Sequence, residues 1–335
     1  MTVTAQADPQ CFDVQIPLTD APAGPAYILD PQIRLALRMA WATRRPLLVV
    51  GEPGCGKTDL AAALANAWQV PLHSQVVHAR TEAQDLMFHF DAVARLADAQ
   101  VYQHLKSQHR GDGDPLDAGN YLRPGALWWL INPQSALSLN DRRPENRRFT
   151  PPPGVIDGQS TNGSVVLIDE IDKGNEEVAE GLLEVLDTLR FDVPWTGQRV
   201  QVGEGGLPSS SMVILTSNGA RDLPAPFLRR CIVLAIELPK DKATLEAWLL
   251  QRAKAHHSAN ECSEDAMKHA AALIAVDRAV ATSDERYKPG LAEYLYLIDA
   301  VAKLASNQPP ANQMELVTEL APSVTTEKGK AVAYP

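Results

Sequence analysis

Short apolar runs alternate with longer amphipathic stretches over most of the chain. Pro46–Val50, Ser164–Ile168, Met212–Thr216 and Cys231–Ile236 are nearly continuous apolar runs of strand length, and Val70–Val77 is a further apolar segment. Runs of this kind are expected of strands buried on both faces. Asp59–Gln69 and Glu176–Leu189 have the composition and spacing of helices. Asp30–Pro31 is a helix N-cap followed by proline at the first helical position, which predicts a helix running to Thr43. Strands alternating with helices predict an α/β fold, a parallel sheet with helices on both faces.

The pattern changes near Lys240. Asp241–His256, Ser263–Ala281 and Lys288–Ala305 read as helices with little strand between them, a small all-helical second domain. The expected organisation is a flexible arm over 1–26, an α/β core over 27–239 with an insertion around 90–163, a helical domain over 240–306 and a disordered tail over 307–335. Trp128 and Trp129, within the insertion, are expected in the core because large aromatics bury much area. Arg110–Pro115 is loop by composition, and Asn140–Gly163 is long for an unstructured connection.

The chemistry concentrates at strand ends. Gly51-Glu52-Pro53-Gly54-Cys55-Gly56-Lys57-Thr58 fits G-x-x-x-x-G-K-[ST] between a predicted strand and a predicted helix beginning at Asp59. In such a loop backbone N–H groups meet phosphate oxygens, and the following helix turns its positive end toward them. Lys57 is expected on the β- and γ-phosphates and Thr58 on Mg²⁺. The run Val165–Asp172 is an apolar strand ending in carboxylates. Asp169 is the candidate for holding Mg²⁺, and Glu170 for polarising the water that attacks the γ-phosphate. Asn218, after another buried strand, can bind the γ-phosphate or that water. Its alternative role is simply to form the Asn-Gly turn. Arg229 and Arg230 precede the strand at Cys231. One of them is a candidate to reach a neighbouring subunit's phosphate, and the alternative is ordinary surface pairing.

With 335 residues, 45% of them hydrophobic, the chain has material for two domains. The net charge of -10 argues against a broad nucleic-acid surface. Cys11, Cys55, Cys231 and Cys262 are widely spaced and form neither a disulfide framework nor a zinc motif. His73, His78, His89, His104 and His109 match no metal spacing. Without an apolar leader or spanning segment, a cytoplasmic location is expected and no membrane contact.

In this order, GEPGCGKT, VVLIDEID, ILTSN and LPAPFLRRC resemble the motifs of the AAA+ ATPases, among them the dynein-related and MoxR-type members, over roughly Tyr27 to Ala305. The resemblance implies ATP and Mg²⁺ as cofactors, a helical lid and a ring, typically a hexamer. It also implies a protein client handled in a chaperone-like way, often with a von Willebrand factor A-type partner. By position, Arg230 is the first candidate for the finger in trans and Arg229 the second, and Lys288 matches the lid's nucleotide-sensing residue. Phe191–Val202 falls where the family has a β-hairpin, and Ala83–Ala99 where it carries inserted elements facing the pore or partners. The competing readings are a nucleic-acid motor or loader on the same core, with Arg142, Arg143, Arg147 and Arg148 as local positive charge, and a kinase or GTPase. Nothing resembling a guanine-specificity NKxD appears.

Overall fold

The computed structural model describes residues 12–19, 24–105, 116–141, 143–153, 155, 163–281 and 288–325. Arg142, the Arg110–Pro115 run and Tyr287 lie outside them. In chain order the elements are β1 (Gln15–Pro17), β2 (Ala26–Ile28), α1 (Pro31–Thr43), β3 (Leu47–Gly51), α2 (Lys57–Trp68), β4 (Leu72–Val76), β5 (Phe88–Phe90) and α3 (Ala92–Leu105). Next come β6 (Leu122–Pro124), α4 (Ala126–Ile131), α5 (Pro133–Asp141), β7 (Val165–Asp169), α6 (Glu176–Thr188), β8 (Arg190–Val193), β9 (Gln198–Gln201) and β10 (Met212–Ser217). The last are α7 (Ala225–Arg230), β11 (Ile232–Ile236), α8 (Lys242–His256), α9 (Glu264–Ala281), α10 (Leu291–Leu304) and α11 (Pro310–Leu320).

A five-stranded parallel sheet runs in the order β11-β3-β10-β7-β4. β7 lies between β10 and β4. Val165 pairs with both Met212 and Leu72, and Ile168 with both Leu215 and Gln75. Val165, Val166, Leu167 and Ile168 are fully buried, and every residue of β10 is buried. This is why both strands read as unbroken apolar runs. The apolar character ends where the strands do, so Asp169 and Ser217 mark the carboxyl edge where open α/β sheets place ligands.

By contacts the chain forms two compact units, one of residues 35–49 and 68–233, the other of 12–34, 50–67 and 234 onward. In the first, α4 is buried along its whole length and packs on β4 and β7. Part of the segment read as an insertion is therefore core. Trp128 is fully buried and donates from Nε1 to Ser135 Oγ at 2.8 Å, so its one polar atom is satisfied. Its ring packs edge-on to Phe88 and Phe191, the latter on the β8–β9 hairpin. At the hairpin turn Trp195 stacks on Phe90 with centroids 4.4 Å apart.

In the second unit two segments differ from expectation. The arm read as flexible contains β1, which pairs antiparallel with β2, Gln15 opposite Ile28 and Pro17 opposite Ala26. Ile16 is buried, and Asn66 donates to Pro17 O at 3.1 Å, which ties the strand to α2. The tail read as disordered carries α11. Its side of the packing is Gln313 and Val317, both buried. Gln313 accepts from Ser263 N at 2.7 Å and donates to Ala305 O at 2.9 Å. The helix can bury a glutamine because the side chain's donor and acceptor are both used. α10 begins at Leu291, three residues after the expected start. Pro289 has no N–H, and the N–H of Gly290 is accepted by Glu293 at 2.8 Å, which makes Gly290 the cap.

Candidate functional site

The phosphate loop joins β3 to α2 within the second unit. Gly54 and Gly56 adopt φ of 75° and 90°, and a Cβ on Gly51 would lie 2.6 Å from Ile236 O. Glycine is required at all three for different reasons, backbone angle at two and close approach at one. Cys55 is buried, and burial pushes its thiol pKa up, so it serves the loop through its backbone and not as a thiolate. Lys57 opens α2 and is also buried. Its ammonium donates to Gly51 O and Glu52 O, both at 2.8 Å. The cation is thereby held over the loop's own concavity, where phosphate oxygens are its natural acceptors. Thr58 and Asp59 follow in the first helical turn, both exposed, as are Glu52 and Pro53.

Two contacts from the C-terminal helices reach this loop. Ala292 N, in the first turn of α10, donates to Gly54 O at 3.1 Å. Arg278, near the end of α9, donates to Glu52 Oε2 at 2.5 Å. Lys288 is exposed and lies two residues before the α10 cap. Neither Arg278 nor Ala292 was legible as a loop partner, since both arrive from more than two hundred residues away.

The acidic residues lie in the first unit at the ends of β7 and β10. The register that pairs Leu215 with Ile168 carries Thr216 alongside Asp169. Thr216 Oγ1 donates to Asp169 Oδ1 and accepts from Glu170 N at 2.9 Å. Glu170 itself sits in the left-handed region, φ 59° and ψ 46°. A non-glycine residue there costs on the order of 1–3 kcal/mol and persists only where its surroundings impose it. Here they do: Asn218 Nδ2 donates to Oε1 at 3.0 Å, and Lys173 Nζ to Oε2 at 2.6 Å. Asp172, almost fully buried, accepts from Ala220 N at 2.9 Å and Asn218 N at 3.3 Å. It holds the turn that aims Asn218. The structure thus brings Asp169, Glu170 and Asn218 together and adds Thr216, Asp172 and Lys173. Thr216 could have been found as the first polar residue of the β10 run.

Arg229 and Arg230 end α7, and both are exposed. Arg230 Nε pairs with Asp187 at 3.0 Å, with both side chains about half exposed. The carbonyl of Arg229 accepts from Arg45 at 3.1 Å. An exposed pair of this type contributes about 0–1 kcal/mol, so Arg230 is easily withdrawn from it.

Residues 46–252, well over half of the chain, match the AAA domain family, dynein-related subfamily. The chain belongs to that family. Among solved structures it is similar to RuvB of Thermotoga maritima in three forms, one described as a Holliday junction branch migration motor and two of them mutants. Identity is 16% in each case, with TM-scores of 0.43, 0.40 and 0.42. The alignments cover 85–87% of this chain and 66–68% of RuvB. Comparison with curated proteins gives no match. Among the described residues no helix is long and apolar enough to cross a membrane.

Proposed function

We propose that this AAA-family chain is an ATP-hydrolysing, MoxR-like ring ATPase that remodels or activates a protein partner. The observation that carries the reading is the pair Glu170–Asn218, a carboxylate at the end of β7 aimed by an amide at the end of β10. ATP phosphates lie along Gly51–Thr58, with Lys57 exchanging its two loop carbonyls for phosphate oxygens. Glu170 accepts a proton from the attacking water while Asn218 orients that water or the γ-phosphate. The donor set suits Mg²⁺, which prefers hard oxygen ligands: the Thr58 hydroxyl and Asp169, whose carboxylate Thr216 already orients. Bound there, Mg²⁺ would neutralise charge on the β- and γ-phosphates.

In a ring, Arg230 or Arg229 from the neighbouring subunit reaches the γ-phosphate, and the helices from residue 240 onward act as the lid. Hexameric assembly, a protein client and a von Willebrand factor A-type partner follow from the MoxR-like reading. Reduced, buried Cys55, Cys231 and Cys262 suit the cytoplasm. The test is ATP hydrolysis against protein concentration, with sizing by light scattering, for wild type and Glu170→Gln. Activity per subunit that rises with concentration, and an ATP-trapped ring in Glu170→Gln, support the reading. Concentration-independent activity of a monomer defeats the ring and the arginine roles.

A further inference from the structure

We propose that the first unit carries a second ligand site, at the sheet edge opposite Asp169 and Asn218, built for a medium-chain aliphatic carboxylate. The site goes beyond the nucleotide reading and does not rest on it, since no residue of the phosphate loop or of the acidic turn takes part.

Met212 opens β10 beside Val165, the first residue of β7, so this end is the amino edge of the sheet. A cavity of about 340 Å³ lies there, bounded by the ends of α1 and α6, by α4 and by the loop before β10. Its lining belongs wholly to the first unit. Leu130, Leu186, Leu189, Met212 and Val213 give it an apolar wall. The volume falls within the range of small-molecule sites.

The rim is basic. Arg44 and Arg45 line the cavity, and both are exposed. Arg44 donates to Pro208 O and Arg45 to Arg229 O, each at 3.1 Å. Both acceptors are neutral, and among the described residues neither guanidinium meets a carboxylate. Two adjacent cations are thus left without an acidic partner in a chain of net charge -10. Their remaining N–H donors suit a planar carboxylate. Trp41 Nε1 donates to Ser209 O at 2.9 Å, beside the Arg44–Pro208 bond. These bonds fix the loop before β10 against α1 and so define the rim.

Two helix ends at the cavity keep side chains where glycine is the usual residue. Arg44 follows α1 with φ of 55°, and Leu189 caps α6 with φ of 48°. Both backbones are left-handed, a conformation glycine adopts without steric cost. Arginine and leucine retained there place a guanidinium at the mouth and an apolar group on the wall. Ser211 also lines the cavity, and its buried hydroxyl has no hydrogen-bond partner among the described residues. A buried hydroxyl without a partner is unfavourable, so a ligand oxygen is favoured beside it.

Charge and polarity select the occupant. An aliphatic chain matches the leucine, methionine and valine wall, and a carboxylate matches the rim. A peptide would bury backbone N–H and C=O groups against those same side chains. An alcohol of equal length fills the wall but leaves the guanidinia without an anion.

The test titrates the full chain with octanoate and with octanol by calorimetry, for wild type, Arg44→Gly and Arg45→Ala, with thermal unfolding of each. Wild type binds octanoate saturably and about tenfold tighter than octanol, the difference made by one charge-assisted contact. Each substitution weakens octanoate about tenfold and leaves octanol within about twofold of wild type. Arg44→Gly unfolds no earlier than wild type, because glycine relieves the left-handed backbone. Arginines that serve only the fold predict the reverse, unchanged octanoate affinity with earlier unfolding, and that result overturns the site. Equal affinity for octanoate and octanol overturns it, as does the absence of saturable binding. Self-association that Leu189→Asp abolishes, without octanoate binding, would give the cavity to a second copy of the chain and overturn the proposal. Should Arg45→Ala not fold, Arg44→Gly decides.

Discussion

Asn218 donates its side-chain amide to Oε1 of Glu170 at 3.0 Å, while Lys173 holds Oε2 of the same carboxylate at 2.6 Å. Both oxygens of the proposed base are thus engaged, and the residue is fixed in a backbone conformation that few side chains adopt. Replacing Glu170 by Gln keeps the shape and the Asn218 contact but removes the proton acceptor. Turnover should fall by about 10²–10⁴ while ATP affinity stays near wild type. Steady-state hydrolysis with a parallel binding titration checks this. Retained turnover removes Glu170 as base.

Lys173→Met separates holding from chemistry. The ammonium is half exposed, so stability should change by less than about 1 kcal/mol. Glu170 then has one fewer competitor for water, and kcat should rise severalfold with KM unchanged. A fall in kcat would make Lys173 part of the productive arrangement instead.

Gly54→Ala tests the loop's backbone. The position needs φ of 75°, and a methyl would lie 2.7 Å from the Ala292 Cβ. We expect a loss of about 1–3 kcal/mol in stability and a large loss of nucleotide affinity. Denaturant unfolding and ATP titration report the two separately. Unchanged values in both would mean the loop rearranges freely.

Arg230→Ala should cut hydrolysis by about 10³ with little loss of ATP affinity, and mixing it with Glu170→Gln protein should restore activity at shared interfaces. The cis partner Asp187 provides the control, because Asp187→Asn frees Arg230 and should not lower the rate. If Arg229→Ala is the variant that loses activity, the finger is Arg229.

His73 provides a pH prediction. It is buried, its Nδ1 has no hydrogen-bond partner among the described residues, and burial lowers its pKa to about 4. The unfolded chain therefore binds the extra proton first, near pH 6.5. Stability from neutral His73 is complete above that pH and declines as pH falls toward 4, by about 3 kcal/mol at most. His73→Phe should flatten the pH dependence of unfolding between pH 6.5 and 4. The same slope in both proteins would assign the acid limb to other groups.

The strands and the residues at their ends were legible because burial on both faces demands unbroken apolar runs, and those runs end where polar chemistry begins. Val165–Asp169 and Met212–Ser217 lie within a residue of their expected limits. The phosphate loop was legible because glycine angles and a following helix are local requirements. Short weak elements were not. β1 has three residues and owes its place to β2 and α2, and the buried side of α11 carries the polar Gln313 as well as Val317. Neither has a periodicity strong enough to outweigh its composition.

By itself the sequence determined the AAA family, the chain order of the buried core strands and the helices between them, the glycine-bearing loop and the carboxylates at the end of β7, all of which depend on neighbours along the chain. Tertiary structure alone decided that Thr216 orients Asp169, that Asn218 holds one oxygen of the Glu170 carboxylate, and that Arg278 answers Glu52. Those pairings depend on strand register and helix packing, which bring residues 47, 48 and 226 positions apart within hydrogen-bond reach. A charge's partner at such separations is set by where the backbone goes, and no local pattern encodes it.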